Sequence, residues 1–117
     1  MGFQNAIYIQ LMNIIFDPIL GKQRRKGGLL YTTLADDAEL SVATGKTGHG
    51  IVIAGDSEEY VHFFFASDGT VTLAYNSANV VNTDTDANLC IYNNSGTVSV
   101  KNRLGAEKDI RYFIDCA

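Results

Sequence analysis

The sequence predicts an all-β domain: a β-sandwich or jelly roll of short antiparallel strands, preceded by an extended N-terminal arm. Three observations carry this. Residues 59–75, EYVHFFFASDGTVTLAY, form two apolar-rich arms around Ser67-Asp68-Gly69, and a period of two on both sides of an Asp-Gly pair is the strongest short-range hairpin signal. Nine short strand-like segments follow residue 28, separated by polar spacers rich in turn residues, which is the spacing of a sandwich, jelly roll or barrel. No stretch in that region carries the period of 3.6 that marks an amphipathic helix.

The chain opens with residues 3–20, FQNAIYIQLMNIIFDPIL. Ile7, Ile9 and Leu11 alternate as in a strand, and Met12, Ile14, Ile15 and Phe16 then break the alternation. A helical reading with Ile7, Leu11, Ile14 and Ile15 on one face is weakened by the β-branched residues and by Asn13. Pro18 closes the segment in either case. The expectation is an extended arm, because a free terminus bearing Phe3, Ile7, Ile9, Leu11, Ile14, Ile15 and Phe16 would leave too much apolar surface in water and should dock on a neighbour. Gly21 to Gly28, GKQRRKGG, is a basic, glycine-bracketed connector, so residues 1–28 read as arm and connector and residues 29–117 as the β domain. Lys22, Arg24, Arg25 and Lys26 are expected to meet acidic groups on the same neighbour.

The expected strands are 29–34, 39–44, 51–54, 60–66, 70–75, 78–81, 89–92, 97–101 and 110–114. In the hairpin, Val61, Phe63 and Phe65 should share the core face with Val71, Leu73 and Tyr75. Asp68 and Gly69 can both take the positive φ of a tight turn. Phe64 falls on the opposite face with His62, and the run Leu89-Cys90-Ile91-Tyr92 is likewise apolar on both faces. A small two-layer monomer cannot cover so many two-faced strands, so Phe64 is expected at an oligomer interface.

A chain of 117 residues with 46% hydrophobic and 19% charged residues is a single globular domain, not a disordered one. Its net charge of −4 is uneven: residues 1–35 hold four bases and one acid, and residues 36–117 hold five bases and twelve acids. A basic leader on an acidic body suits contact between the leader and an acidic surface. Cys90 and Cys116 make no disulfide framework; Cys90 reads as a small buried hydrophobe and Cys116 as an exposed thiol. The basic cluster follows the apolar stretch, whereas a secretory signal needs it before, and the longest apolar run is too short to span a bilayer. No membrane and no specific nucleic acid are expected as partners.

The motifs that carry chemistry elsewhere are incomplete here. Thr44-Gly45-Lys46-Thr47-Gly48 resembles the end of a phosphate loop, but Leu40 stands where the motif needs glycine, and a strand rather than a helix should follow. His49 and His62 are the only histidines, and no spacing pairs them with Cys90 or Cys116 as zinc ligands; no metal or cofactor is expected. Asp84, Asp86 and Asn88 alternate as in part of a calcium loop, without the glycine and glutamate that complete it. A turn whose Asp and Asn side chains bond their own backbone accounts for them. Asp56, Glu58 and Glu59 could be paired carboxylates, but no nucleophile, base and oxyanion donor can be assembled around them, so the chain does not read as an enzyme. Asn93-Asn94-Ser95 matches a glycosylation sequon, which matters only in a secreted protein.

Two stretches carry a resemblance. The opening Met1 to Ile9, MGFQNAIYI, resembles the start of small cement or decoration proteins of tailed bacteriophages. The close, TVSVKNRLG at residues 97–105 with Ile110-Arg111-Tyr112, is similar to the last hairpin of phage head-fibre and tail-fibre head domains. The resemblance implies a non-enzymatic virion structural protein, commonly a homotrimer of β-rich domains, without a cofactor. Such a protein would be assembled in the host cytoplasm and bound to the major capsid protein or another virion protein. The competing expectation is a receptor-binding fibre tip that contacts host sugar or protein through its loops.

Overall fold

The computed structural model describes residues 29–55 and 58–117, and the backbone alone of residues 24–26. The chain divides into two units, Met1–Leu30 and Tyr31–Ala117, and the second holds the β domain. Among the described residues ten strands are formed: β1 (Arg24–Lys26), β2 (Leu29–Leu34), β3 (Glu39–Thr44), β4 (Gly48–Ala54), β5 (Glu59–Phe65), β6 (Val71–Asn76), β7 (Val80–Val81), β8 (Leu89–Asn94), β9 (Thr97–Asn102) and β10 (Lys108–Cys116). No helix occurs among the described residues. The basic connector is therefore not all loop, since Arg24, Arg25 and Lys26 form β1.

In the larger sheet β2, β10, β4, β5 and β6 lie side by side in that order; the smaller sheet runs β3-β9-β8-β7. Their inner faces form one core, in which Val52, Val61, Phe63, Phe65 and Ile110 meet Val80, Leu89, Ile91, Val98 and Val100. This is the all-β sandwich that the strand spacing predicts. The pairing of β7 departs from the expected antiparallel pattern. The two residues of β7 pair parallel to β8, Val80 with Leu89 and Val81 with Cys90.

β5 shows how the alternation becomes layers. Val61, Phe63 and Phe65 are buried and Tyr60 and Phe64 exposed, because successive side chains on a strand point to opposite faces. β4 lies beside it in a register that sets Gly50 opposite Phe63. A Cβ at Gly50 would come within 2.7 Å of the Phe63 ring and 2.6 Å of Ile114 Cδ1. Glycine here is what admits the largest fully buried side chain.

The hairpin between β5 and β6 forms as expected, with two differences. Phe65 pairs with Val71, so the connection is the five residues 66–70 rather than the three residues 67–69. Within it only Gly69 has positive φ, at 92°; Asp68 instead accepts the Thr70 amide at 2.9 Å, and that bond holds its carboxyl below the usual range. The second difference is a bulge. His62 pairs with Tyr75 and Phe63 with Leu73, leaving Ala74 unpaired. An extra residue reverses the alternation beyond it, so Tyr75 stands on the outer face rather than in the core with Val71 and Leu73. The true two-residue turn joins β8 to β9, where Ser95 (φ 52°) and Gly96 (φ 94°) both take the positive values of a type I′ hairpin.

Two buried polar side chains tie the loops to the sheets. Asn102 is fully buried; its amide donates to the carbonyls of Leu34 (2.9 Å) and Ala106 (2.8 Å) and accepts from the Leu104 amide at 3.0 Å. Glu59 accepts from the Ser77 hydroxyl at 2.7 Å and from Asn79 Nδ2 at 3.1 Å. With its donors and acceptor matched, such a group avoids the penalty of an unpaired buried polar atom. A third bond set reaches from β3 across β9 to β8: Glu39 on β3 accepts from the Tyr92 hydroxyl and, at 2.7 Å, from Asn94 Nδ2.

Phe63→Ala should destabilise the domain by about 3–5 kcal/mol, the transfer and cavity cost of an aromatic core truncation; a loss under about 1 kcal/mol in a denaturant titration would place that ring outside the core. A second expectation concerns acid. The hydrogen bond from Tyr92, with a lesser one from Asn94, holds the Glu39 carboxyl below the ordinary glutamate value. A depressed folded-state value gives stability that is complete above the unfolded value, near about 4.3, and is lost as pH falls through the folded one. Glu39→Gln should therefore be less stable than the natural chain at about pH 6, and the gap should close toward about pH 3. Urea titrations across that range measure it, and a gap independent of pH would refute the assignment.

Candidate functional site

The site is the outer face of the larger sheet, and the registers build it residue by residue. Phe113 of β10 pairs with Ile51 of β4, which pairs with His62 of β5, which pairs with Tyr75 of β6. The neighbouring row reads Asp115, His49, Phe64, Thr72, and the row on the other side reads Arg111, Ile53, Tyr60. Paired residues on a sheet point to the same face, so three rows of side chains stand out together.

This face carries the exposed large apolar side chains of the described residues. Phe64 is 48% exposed, Phe113 42% and Tyr75 66%; Ile51 and Tyr60 are exposed as well, and all five belong to these rows. Tyr60 and Tyr75 stack with centroids 5.6 Å apart, and the Tyr75 hydroxyl bonded to it pushes the Tyr60 phenol up. Phe64 lies 5.1 Å from the His62 ring and 6.0 Å from that of His49. His49 also meets Phe113 edge-on at 6.2 Å. Its Nδ1 is 3.2 Å from His62 Nε2, and its Nε2 is 3.5 Å from Asp115 Oδ2.

The other two-faced run is covered by its own chain. Leu89 and Ile91 face the core and Cys90 is also fully buried, because the segment after β7 lies over it. The Cys90 thiol donates to the Thr85 carbonyl at 3.3 Å and accepts from the Thr85 amide at 3.4 Å. Burial pushes that thiol up. Asp84 holds the same segment through Lys101 and Arg103, each at 3.1 Å, and Arg103 also reaches Asp37 at 3.2 Å and Asp86 at 3.7 Å. The carboxylates of the calcium-like stretch are thus committed to bases, while Asn88 bonds the Asp86 carbonyl at 2.8 Å as a turn residue does.

The remaining candidates are placed as follows. Gly45 (φ 68°) turns the chain before β4, so a strand follows the glycine-lysine pair and no phosphate cradle forms. Glu58 pairs with Lys108 at 2.7 Å, and Glu59 points inward to Ser77 and Asn79. Asp56 lies outside the described residues, as do Phe3, Ile7, Ile9, Leu11, Ile14, Ile15, Phe16 and Lys22; of Arg24, Arg25 and Lys26 only the backbone is described. No group of three or more His, Cys, Asp or Glu side chains converges on one point among the described residues. Cys90 and Cys116 are free thiols, the first buried and the second exposed.

Sequence reasoning finds Phe64 and His62 on this face but misses His49, Tyr75 and Phe113. β4 begins at Gly48, three residues before the expected strand, because Gly48 and Gly50 read as loop residues. The signal was the alternation His49, Ile51, Ile53. Compared with family models, with curated proteins and with solved structures, the chain matches none.

Proposed function

We propose that this chain is a non-enzymatic structural protein of a bacteriophage virion. It stabilises or decorates the particle as a homotrimer that self-associates through the outer face centred on Phe64. The N-terminal arm and basic connector attach it to the major capsid protein or another virion protein. The single observation that supports self-association is the clustering of the exposed large apolar side chains on one sheet face. Fully burying one such side chain contributes about 1.5–3 kcal/mol relative to leaving it in water, and contiguous patches of this kind mark interaction surfaces. We take a second copy as the occupant, since a flat sheet face with its large apolar side chains exposed together can be covered by a like face. The virion class and the trimer come with the resemblance at the two ends. The exposed aromatics stand on strands rather than loops, which favours assembly over a loop-borne receptor tip.

Sedimentation of the full chain at micromolar concentration should give an oligomer. Phe64→Ser should shift it to monomer while changing the denaturant midpoint little, since that side chain contributes little to the core. A stable natural monomer would remove the reading. Deleting residues 1–26 should leave a folded β domain that still self-associates but no longer joins its particle. Replacing Lys22, Arg24, Arg25 and Lys26 alone should weaken attachment and abolish its salt dependence. A truncated chain that decorates the particle as well as the full one would move the attachment surface into the β domain.

A further inference from the structure

We infer that His49 and His62 form a two-nitrogen binding site for a divalent transition-metal ion of the zinc or nickel class on the outer sheet face. His49 Nδ1 and His62 Nε2 are 3.2 Å apart. At the usual metal–nitrogen distance of about 2.0–2.1 Å, that separation subtends about 100° at the ion, between the square-planar and tetrahedral values. The ion lies off the line between the two nitrogens, by about 40° at each, so it displaces the shared proton and the rings tilt to meet it.

Two further features prepare it. The rings project from paired strands, with His49 opposite Phe64 and Ile51 opposite His62, and Phe64 and Phe113 pack against them. Ring orientation is thus largely set before binding, which lowers the ordering cost. Asp115 stands 3.5 Å behind His49 at Nε2. A carboxylate there favours the tautomer with its proton on Nε2, leaving the Nδ1 lone pair directed at His62. This is the carboxylate–histidine–metal order by which an outer group orients a ligand. Asp115 is a positioning residue and does not itself reach the ion.

The donors select the class of ion. Imidazole nitrogen suits zinc, nickel and copper, whereas calcium and magnesium require a shell of oxygens. With two protein ligands the remaining positions fall to water, so the site is a modest binder rather than a closed structural cage. The inference does not rest on the assembly reading, since one chain carries both histidines.

The test is a calorimetric titration of zinc chloride into the full chain carrying Cys116→Ser, which removes the exposed thiol as a competing ligand. The histidine imidazole proton resonances are followed in parallel. One ion should bind per chain and shift the resonances of both rings together. His49→Gln or His62→Gln should lower the affinity at least about tenfold, and Asp115→Asn should weaken it by about tenfold while keeping the stoichiometry. Calcium should give neither heat nor shifts. The inference fails if millimolar zinc moves neither ring, if His62→Gln binds as tightly as the natural pair, or if calcium binds equally well. Should a glutamine variant not fold, the joint shift of the two rings in the natural pair decides alone.

Discussion

The arrangement of this domain depends on one constraint, the seating of Phe63 over Gly50. The ring fills the space that a side chain at Gly50 would occupy, against Ile114 from β10, so it locks three adjacent strands to each other at once. Slipping the register by one residue would send Phe63 to solvent and bring Phe64 inward, and the glycine gap would no longer lie beneath an aromatic ring. What is placed on the outer face is therefore a consequence of what the inner face requires. His49, Ile51, His62, Phe64 and Phe113 come together outside because Gly50, Val52, Val61, Phe63 and Tyr112 come together inside.

Buried polar side chains anchor two of the connections to the sheets. Asn102 binds the end of β2 and the loop before β10 with one amide group, and Glu59 closes the turn after β6. The ion pairs of Asp84 with Lys101 and Arg103 lay the segment after β7 over β8. Exposed ion pairs contribute little stability singly; here their effect is placement, because they bring the segment that shields Cys90. The smaller sheet thereby covers its second apolar face from within the chain, whereas on the larger sheet Phe64, Phe113 and Tyr75 stay exposed among the described residues.

That difference between the two sheets is the basis of the functional reading. Water tolerates scattered apolar side chains, and an exposed phenylalanine alone carries no meaning. Five large apolar groups in adjacent rows of one sheet are a different matter, because they can be removed from water together by a single flat partner. The histidine pair lies among them, its two nitrogens 3.2 Å apart and a carboxylate 3.5 Å from the His49 ring.

The sequence by itself determined the all-β class, the hairpin at residues 59–75, the core face of β5 and the outward position of Phe64. All of these follow from a period of two and from turn chemistry, which are local properties of the chain. It did not determine the face of Tyr75, since the bulge at Ala74 is set by how β5 and β6 pair and leaves no mark in the composition. Nor did it place His49: glycines at 48 and 50 read locally as loop, and only the close approach of Asp115 and Cys116 at the first and of Phe63 and Ile114 at the second explains why glycine stands in a strand there. The covering of Cys90 was hidden for a similar reason, because its shield is held by Lys101 and Arg103 from β9 and the residue after it. The meeting of His49 with His62 and Asp115 needed three strands in register, and register between strands distant in sequence is decided by which side chains fill the common core.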